Sequence, residues 1–124
     1  NNYRTIIFYN KVDKKKIRLL KNLKVELYKL NLDSNNNLDL QDVLTKAKKL
    51  GFYRIFLESG MRLTINFLYK NLVDDFKLFI SNRNLGKNGN NKIKKYLKLF
   101  LINKKSVNEK VNLFGDKLIT YKIT

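Results

Sequence analysis

The sequence predicts an α/β fold built on a mainly parallel sheet. Segments of strand character alternate with segments of helical period along the chain. The apolar run Ile55–Leu57 precedes a tight Ser59-Gly60 turn and a helix, as a strand covered on both faces does. The carboxyl end reads as a β-hairpin, which adds antiparallel strands to such a sheet.

The elements follow in order. Arg4–Asn10 reads as a strand, with Ile6, Ile7 and Phe8 a short buried run. Lys14–Leu23 has Ile17, Leu20 and Lys21 at helical spacing. Val25–Leu32 alternates apolar and polar residues, so it reads as a strand with one buried face. Asp33–Asn37 is a polar loop. Asp39 is a candidate N-cap with Asp42 three residues on. Leu40, Val43, Leu44 and Ala47 then recur at i, i+3, i+4 and i+7, giving an amphipathic helix to Leu50. Lys46, Lys48 and Lys49 load its last turns, where cations suit the helix dipole. Gly51 fits the position just past its end.

Tyr53–Glu58 is the expected central strand and Met61–Lys70 the helix after it. Val73–Ser81 is a further strand, with Phe76, Leu78 and Ile80 on one face. Asn82–Asn91 is an Asn- and Gly-rich loop, expected to be flexible. Asn91–Ile102 reads as a helix presenting Ile93, Tyr96, Leu97 and Phe100, although Leu99–Ile102 also suits a strand. Ser106–Lys110 is a polar break. Val111–Phe114 and Lys117–Ile123 flank Gly115-Asp116 as the closing hairpin. No repeat or linker divides the chain, so a single domain is expected.

Composition excludes several chemistries. The 124 residues hold no Cys and no His, which removes disulfides, thiolate zinc sites and Ser-His-Asp triads. Lys and Arg number 27 against 10 Asp and Glu, a net charge of +17 that attracts polyanions. The lysines are scattered, however, and Arg, the better base reader, occurs only at positions 4, 18, 54, 62 and 83. With one Ala and no Pro or Trp, this is the composition of AT-rich coding, in which Lys is the default surface residue. A basic nucleic-acid-binding module is therefore the alternative reading. No apolar run approaches the roughly 18 residues of a membrane span, and no signal peptide is visible, so a cytoplasmic protein without a membrane partner is expected. The first residue is not Met, so the chain is expected to be a piece of a longer one.

The candidate site lies at the turn. Glu58 closes the expected strand, and Ser59, Gly60 and Met61 open the helix. Ligands of open α/β sheets bind off the carboxyl ends of strands, and a helix N-terminus there suits phosphate. Asp74 and Asp75 are adjacent in a strand and point to opposite faces, which argues against a shared metal or general-base site.

These residues carry a family resemblance. G-F-Y-R-I-F-L-E-S-G before a helix, then N-L-V-D-D-F-K-L-F-I-S and a Gly-containing loop, resembles the reductase domain of the bifunctional riboflavin-biosynthesis deaminase/reductase. That family reads G-hydrophobic-E-G-G at the turn and L-V-D-E with an apolar strand after the helix. The D-L-Q-D-V-L helix and the final G-D-K-L-I-T-Y strand also sit where the family has them. The resemblance implies a dihydrofolate-reductase-like fold and NADPH-dependent reduction of a phosphoribosylamino-pyrimidine to its ribitylamino form. It maps the cofactor pyrophosphate to Ser59, Gly60 and Met61, the substrate side to Glu58, and the adenosine phosphate to Asn10 and Lys11. Hydride transfer itself demands no general base, so no catalytic side chain is assigned.

Two departures from the family pattern follow. Ser59 replaces the first Gly of the pair, and Ser tolerates φ > 0 poorly. The family domain also begins further upstream, so this chain resembles its carboxyl-terminal two-thirds. The isolated chain is expected to be inactive or impaired, with an exposed edge or apolar face that favours a homodimer.

Overall fold

The computed structural model describes residues 3–83, 91–111 and 114–124, with backbone only for residues 91–94. The chain is mixed α/β, with elements in the order β1 (Ile6–Tyr9), α1 (Lys14–Asn22), β2 (Glu26–Lys29), α2 (Leu40–Lys49), α3 (Met61–Tyr69), β3 (Asp75–Ile80), α4 (Asn91–Leu101), β4 (Ser106–Glu109) and β5 (Lys117–Lys122). It forms two compact units, Asn1–Phe56 and Leu57–Thr124.

In the first unit β1 and β2 pair in parallel, with Ile6 opposite Glu26 and Tyr9 opposite Lys29. α1 is the crossover that parallel pairing requires. Asp13 caps it, its carboxylate accepting from the Lys15 N–H at 3.1 Å. Asp39 caps α2 in the same way, accepting from the N–H groups of Gln41 at 2.8 Å and Asp42 at 3.3 Å. Leu40 and Ala47 are the buried positions of α2, as its spacing predicts. Within the polar loop Asp33 accepts from the N–H groups of Asn35 and Asn37, and Leu32 bridges Leu38 across it.

An ionic cluster ties this unit together. The Arg4 guanidinium engages both oxygens of Glu26, from Nε to Oε1 and from Nη2 to Oε2 at 2.9 Å. Its Nη1 donates to the Leu50 carbonyl at 3.2 Å, and the cation lies 5.5 Å from the Phe52 ring centre. Tyr28 donates to Glu26 at 2.8 Å, and Lys46 Nζ sits 4.2 Å from the Tyr28 ring centre. One side chain thus links the start of β1, β2 and the end of α2. Hydrogen bonds from Arg4 and then Tyr28 hold Glu26 near a pKa of about 2, against its usual 4.5. The same carboxylate raises the Tyr28 pKa.

In the second unit β5 is central, antiparallel to β3 and to β4, in the order β3-β5-β4. Leu68 of α3, Leu97 and Leu101 of α4, and Ile123 form the core, with Phe76, Leu78 and Tyr121 packed against it from the sheet. The other sheet face carries Phe79, Val107 and the buried Leu118 beside its ion pairs. Lys77 pairs with Glu109 at 2.8 Å, Thr120 also donates to Glu109, and Lys122 pairs with Asp75 at 2.6 Å.

The sheet differs from the sequence expectation. Residues 52–60 form no regular strand, and Ile55, Phe56 and Leu57 are exposed. Ladder bonds define a strand, and an apolar run without a paired edge cannot become one. One parallel pair and three antiparallel strands therefore replace a mainly parallel sheet. The hairpin's first strand is β4, inside the expected polar break. Its turn falls at Phe114-Gly115, both at positive φ. Of the expected 111–114 strand, residues 112 and 113 lie outside the described residues, as does most of the 82–91 loop and the Ile93 side chain. Tyr96 is exposed, and Leu101 takes the buried place expected of it.

Three helices end in the same hydrogen-bonded motif, in which the second residue past the cap bonds back five positions. Val25 N–H bonds to Leu20, Phe52 to Ala47, and Leu72 to Phe67, each at 3.0–3.1 Å. The residue before each is left-handed: Lys24 (φ 56°), Gly51 (φ 92°) and Asn71 (φ 52°). Only Gly51 meets this without the Cβ penalty. Gly51→Val should therefore cost about 1–2 kcal/mol, and Lys24→Gly should stabilise by up to about 1 kcal/mol; opposite shifts in the urea midpoint check both.

The Arg4–Glu26 pair sets an acid dependence. A depressed folded-state pKa stabilises fully above the usual 4.5, and that contribution fades as pH falls through about 2. Glu26→Gln should lower the melting temperature at pH 7 and leave little difference from the parent chain near pH 2. Because the pair is solvent-accessible, high salt should narrow the pH 7 gap as well.

Candidate functional site

The predicted site residues lie in both units. Asn10 and Lys11 follow β1 in the first, and Glu58, Ser59, Gly60 and Met61 lead into α3 in the second.

Asn10 is half-buried, and its Nδ2 donates to the Leu30 carbonyl at 2.7 Å. That bond locks the carboxyl ends of β1 and β2 together and commits one of its two amide hydrogens to the main chain. Lys11 is exposed. The helix that follows already has the Asp13 carboxylate on its N-terminus, where a bound anion would otherwise sit.

The N-terminus of α3 is arranged differently. Gly60 is its N-cap, with no side-chain capping bond, and the first turn holds no acidic residue. The Gly60 carbonyl accepts from Leu63 at 3.1 Å and Thr64 at 3.2 Å. Arg62 is exposed within that turn. Gly60 has φ −62° and ψ 155°, so its backbone does not call for glycine. A Cβ built there meets nothing within 4 Å, so packing among the described residues does not call for it either. What glycine leaves is open space directly beside the first N–H groups of a nine-residue helix. That donor set suits an anionic group.

Ser59 holds the entry to this turn. Its hydroxyl lies 3.0 Å from the Thr64 hydroxyl, which also reaches the Ser59 and Gly60 carbonyls at 3.5 and 3.4 Å. Ser59 is outside the left-handed region, so replacing a glycine there brings no backbone strain. This corrects the sequence expectation. Thr64 was not among the expected site residues. Its signal is spacing: four residues past Gly60, it lies over the first turn of the same helix.

Glu58 precedes the turn in an irregular, exposed segment, not at a strand end. Every other acidic side chain has a partner. Asp13 and Asp39 cap helices. Asp33 and Asp116 bond backbone N–H groups in loops. Glu26, Asp75 and Glu109 form ion pairs, and Asp42 and Asp74 accept from Asn31 and Thr124. Among the described residues Glu58 alone has no such partner. The separate partners of Asp74 and Asp75 agree with their expected divergence. Among the described residues no cluster of His, Cys, Asp and Glu could hold a metal ion, and no helix is long and apolar enough to cross a membrane.

A protein-family model described as the RibD C-terminal domain matches residues 1–111. No curated protein sequence matches the chain. The family implies a dihydrofolate-reductase-like fold and an oxidoreductase domain of riboflavin biosynthesis, consistent with a nicotinamide cofactor. The matched span runs through β1, the Glu58–Met61 turn and α3, and covers most of the sequence; the chain belongs to the RibD C-terminal domain family, the reductase domain of RibD.

Proposed function

We propose that this chain serves NADPH-dependent reduction of a phosphoribosylamino-pyrimidine to its ribitylamino form. The observation that carries the reading is the α3 N-terminus, uncapped by any side chain and open at Gly60. The N–H groups of Met61 and Arg62 hold the cofactor pyrophosphate there. The bond between Ser59 and Thr64 fixes the loop that precedes them. Within the first unit, Asn10 chiefly sets the course of the backbone that carries the exposed Lys11.

NADPH supplies a hydride to C1 of the sugar in its opened, imine form, and a proton from solvent goes to the nitrogen. The chain's own residues bind and orient. The unpartnered, exposed Glu58 carboxylate accepts hydrogen bonds from the sugar hydroxyls. A homodimer and a cytoplasmic setting complete the proposal, the dimer covering sheet edges that the chain leaves open.

NADPH titration of the full-length protein tests the turn. Gly60→Asp places a carboxylate at the helix N-terminus and should weaken NADPH binding by at least about tenfold. Unchanged binding would make the turn assignment wrong. Glu58→Gln should leave NADPH affinity within about twofold while raising KM for the pyrimidine by about tenfold or more, as the loss of a charged hydrogen bond implies.

A further inference from the structure

We propose that the Arg62 guanidinium binds the pyrophosphate of the nicotinamide cofactor at the start of α3. The proposal deepens the reductase reading and rests on it, since that reading puts the pyrophosphate there. Three features of this helix start work against the free chain. Gly60 makes no side-chain capping bond, so the first N–H groups lack that acceptor. The first turn holds no acidic residue. It holds a cation instead, Arg62, where the positive end of the helix dipole disfavours one. The starts of α1 and α2 are built the opposite way. Asp13 caps α1, which also opens on lysines, and Asp39 caps α2 with Asp42 in its first turn. A single bound anion at α3 relieves all three features.

The side chain is available for this. Arg62 is exposed and takes part in no ion pair among the described residues, although Glu58 lies four positions earlier. Helical side chains lean toward the N-terminus and cover the turn before their own Cα. For Arg62 that is the open space at Gly60, where a Cβ meets nothing within 4 Å. Its neighbours in the turn serve otherwise, since Met61 packs against the core and Leu63 is apolar. The guanidinium suits the occupant as well as the place. Its planar fork pairs with two phosphate oxygens, which an ammonium cannot match.

Titration of the full-length protein with NADPH and with NADH tests the proposal. Arg62→Gln should weaken both by at least about tenfold, through loss of a charged contact. Equal losses are expected because both cofactors carry the pyrophosphate; a loss confined to NADPH would move Arg62 to the 2′-phosphate and overturn the proposal. Arg62→Lys, which keeps the charge without the fork, should recover part of the affinity. Lys98→Gln, the same charge change at an exposed position of α4, should leave both within about twofold; a loss equal to that of Arg62→Gln would reduce the effect to overall charge and overturn the assignment. Thermal unfolding without cofactor supplies a second readout. Arg62→Glu should raise the melting temperature while weakening NADPH further than Arg62→Gln, because an anion in the first turn suits the helix dipole. A fall in melting temperature alongside the lost binding would make Arg62 a structural residue instead. Gly60→Asp, measured in parallel, separates the two claims. If it leaves NADPH binding unchanged, the turn reading fails and this inference with it. If it weakens binding and Arg62→Gln does not, the role given to Arg62 alone is overturned.

Discussion

Ten carboxylates face 27 cationic side chains in this sequence, and local order depends on where those ten sit. Two set the starts of α1 and α2. Glu26 gathers Arg4 and Tyr28 at the parallel pair. Glu109 and Asp75 form ion pairs across the strands of the antiparallel sheet. Each of these five lies beside N–H groups or a cation, so the repulsion of a strongly basic chain is relieved where backbone must be fixed. The exception is informative. Glu58, beside the one described helix start whose cap residue has no side chain, has no such partner among the described residues.

The helices were legible because their determinants are local. Asp39, the i, i+3, i+4, i+7 spacing and Gly51 bound α2 to within a residue; α1 was read from spacing alone, and its Asp13 cap emerges in the structure. Strands depend on partners that a single sequence does not display. Ile55, Phe56 and Leu57 have a strand composition and no ladder. Ser-Val-Asn-Glu at 106–109 has a polar composition and is a strand, because β5 lies beside it and Lys77 and Thr120 reach Glu109. Pairing across distance, not propensity, decided both.

The site was legible in its position more than in its physics. The E-S-G turn before a helix was found from the sequence, and the family match spans it. The reasons for its shape were not. Positive φ was expected at Ser59, yet neither Ser59 nor Gly60 is left-handed, and the value of Gly60 lies in the open space left by a missing Cβ. Ser59 fits without strain because its backbone lies outside the left-handed region, and Thr64 meets its hydroxyl. The exposure of Leu19 and Leu23 in and just after α1 was likewise hidden, since spacing shows which residues share a face and not whether that face is covered.

The central claim is that backbone N–H groups at the start of α3 receive the cofactor phosphates. Amide chemical-shift mapping during NADPH titration of the isotopically labelled protein reads those groups directly. The account predicts the largest perturbations at Gly60, Met61 and Arg62, saturating together. Perturbations confined to the lysine-rich α1, with the amides of α3 unmoved, would contradict it.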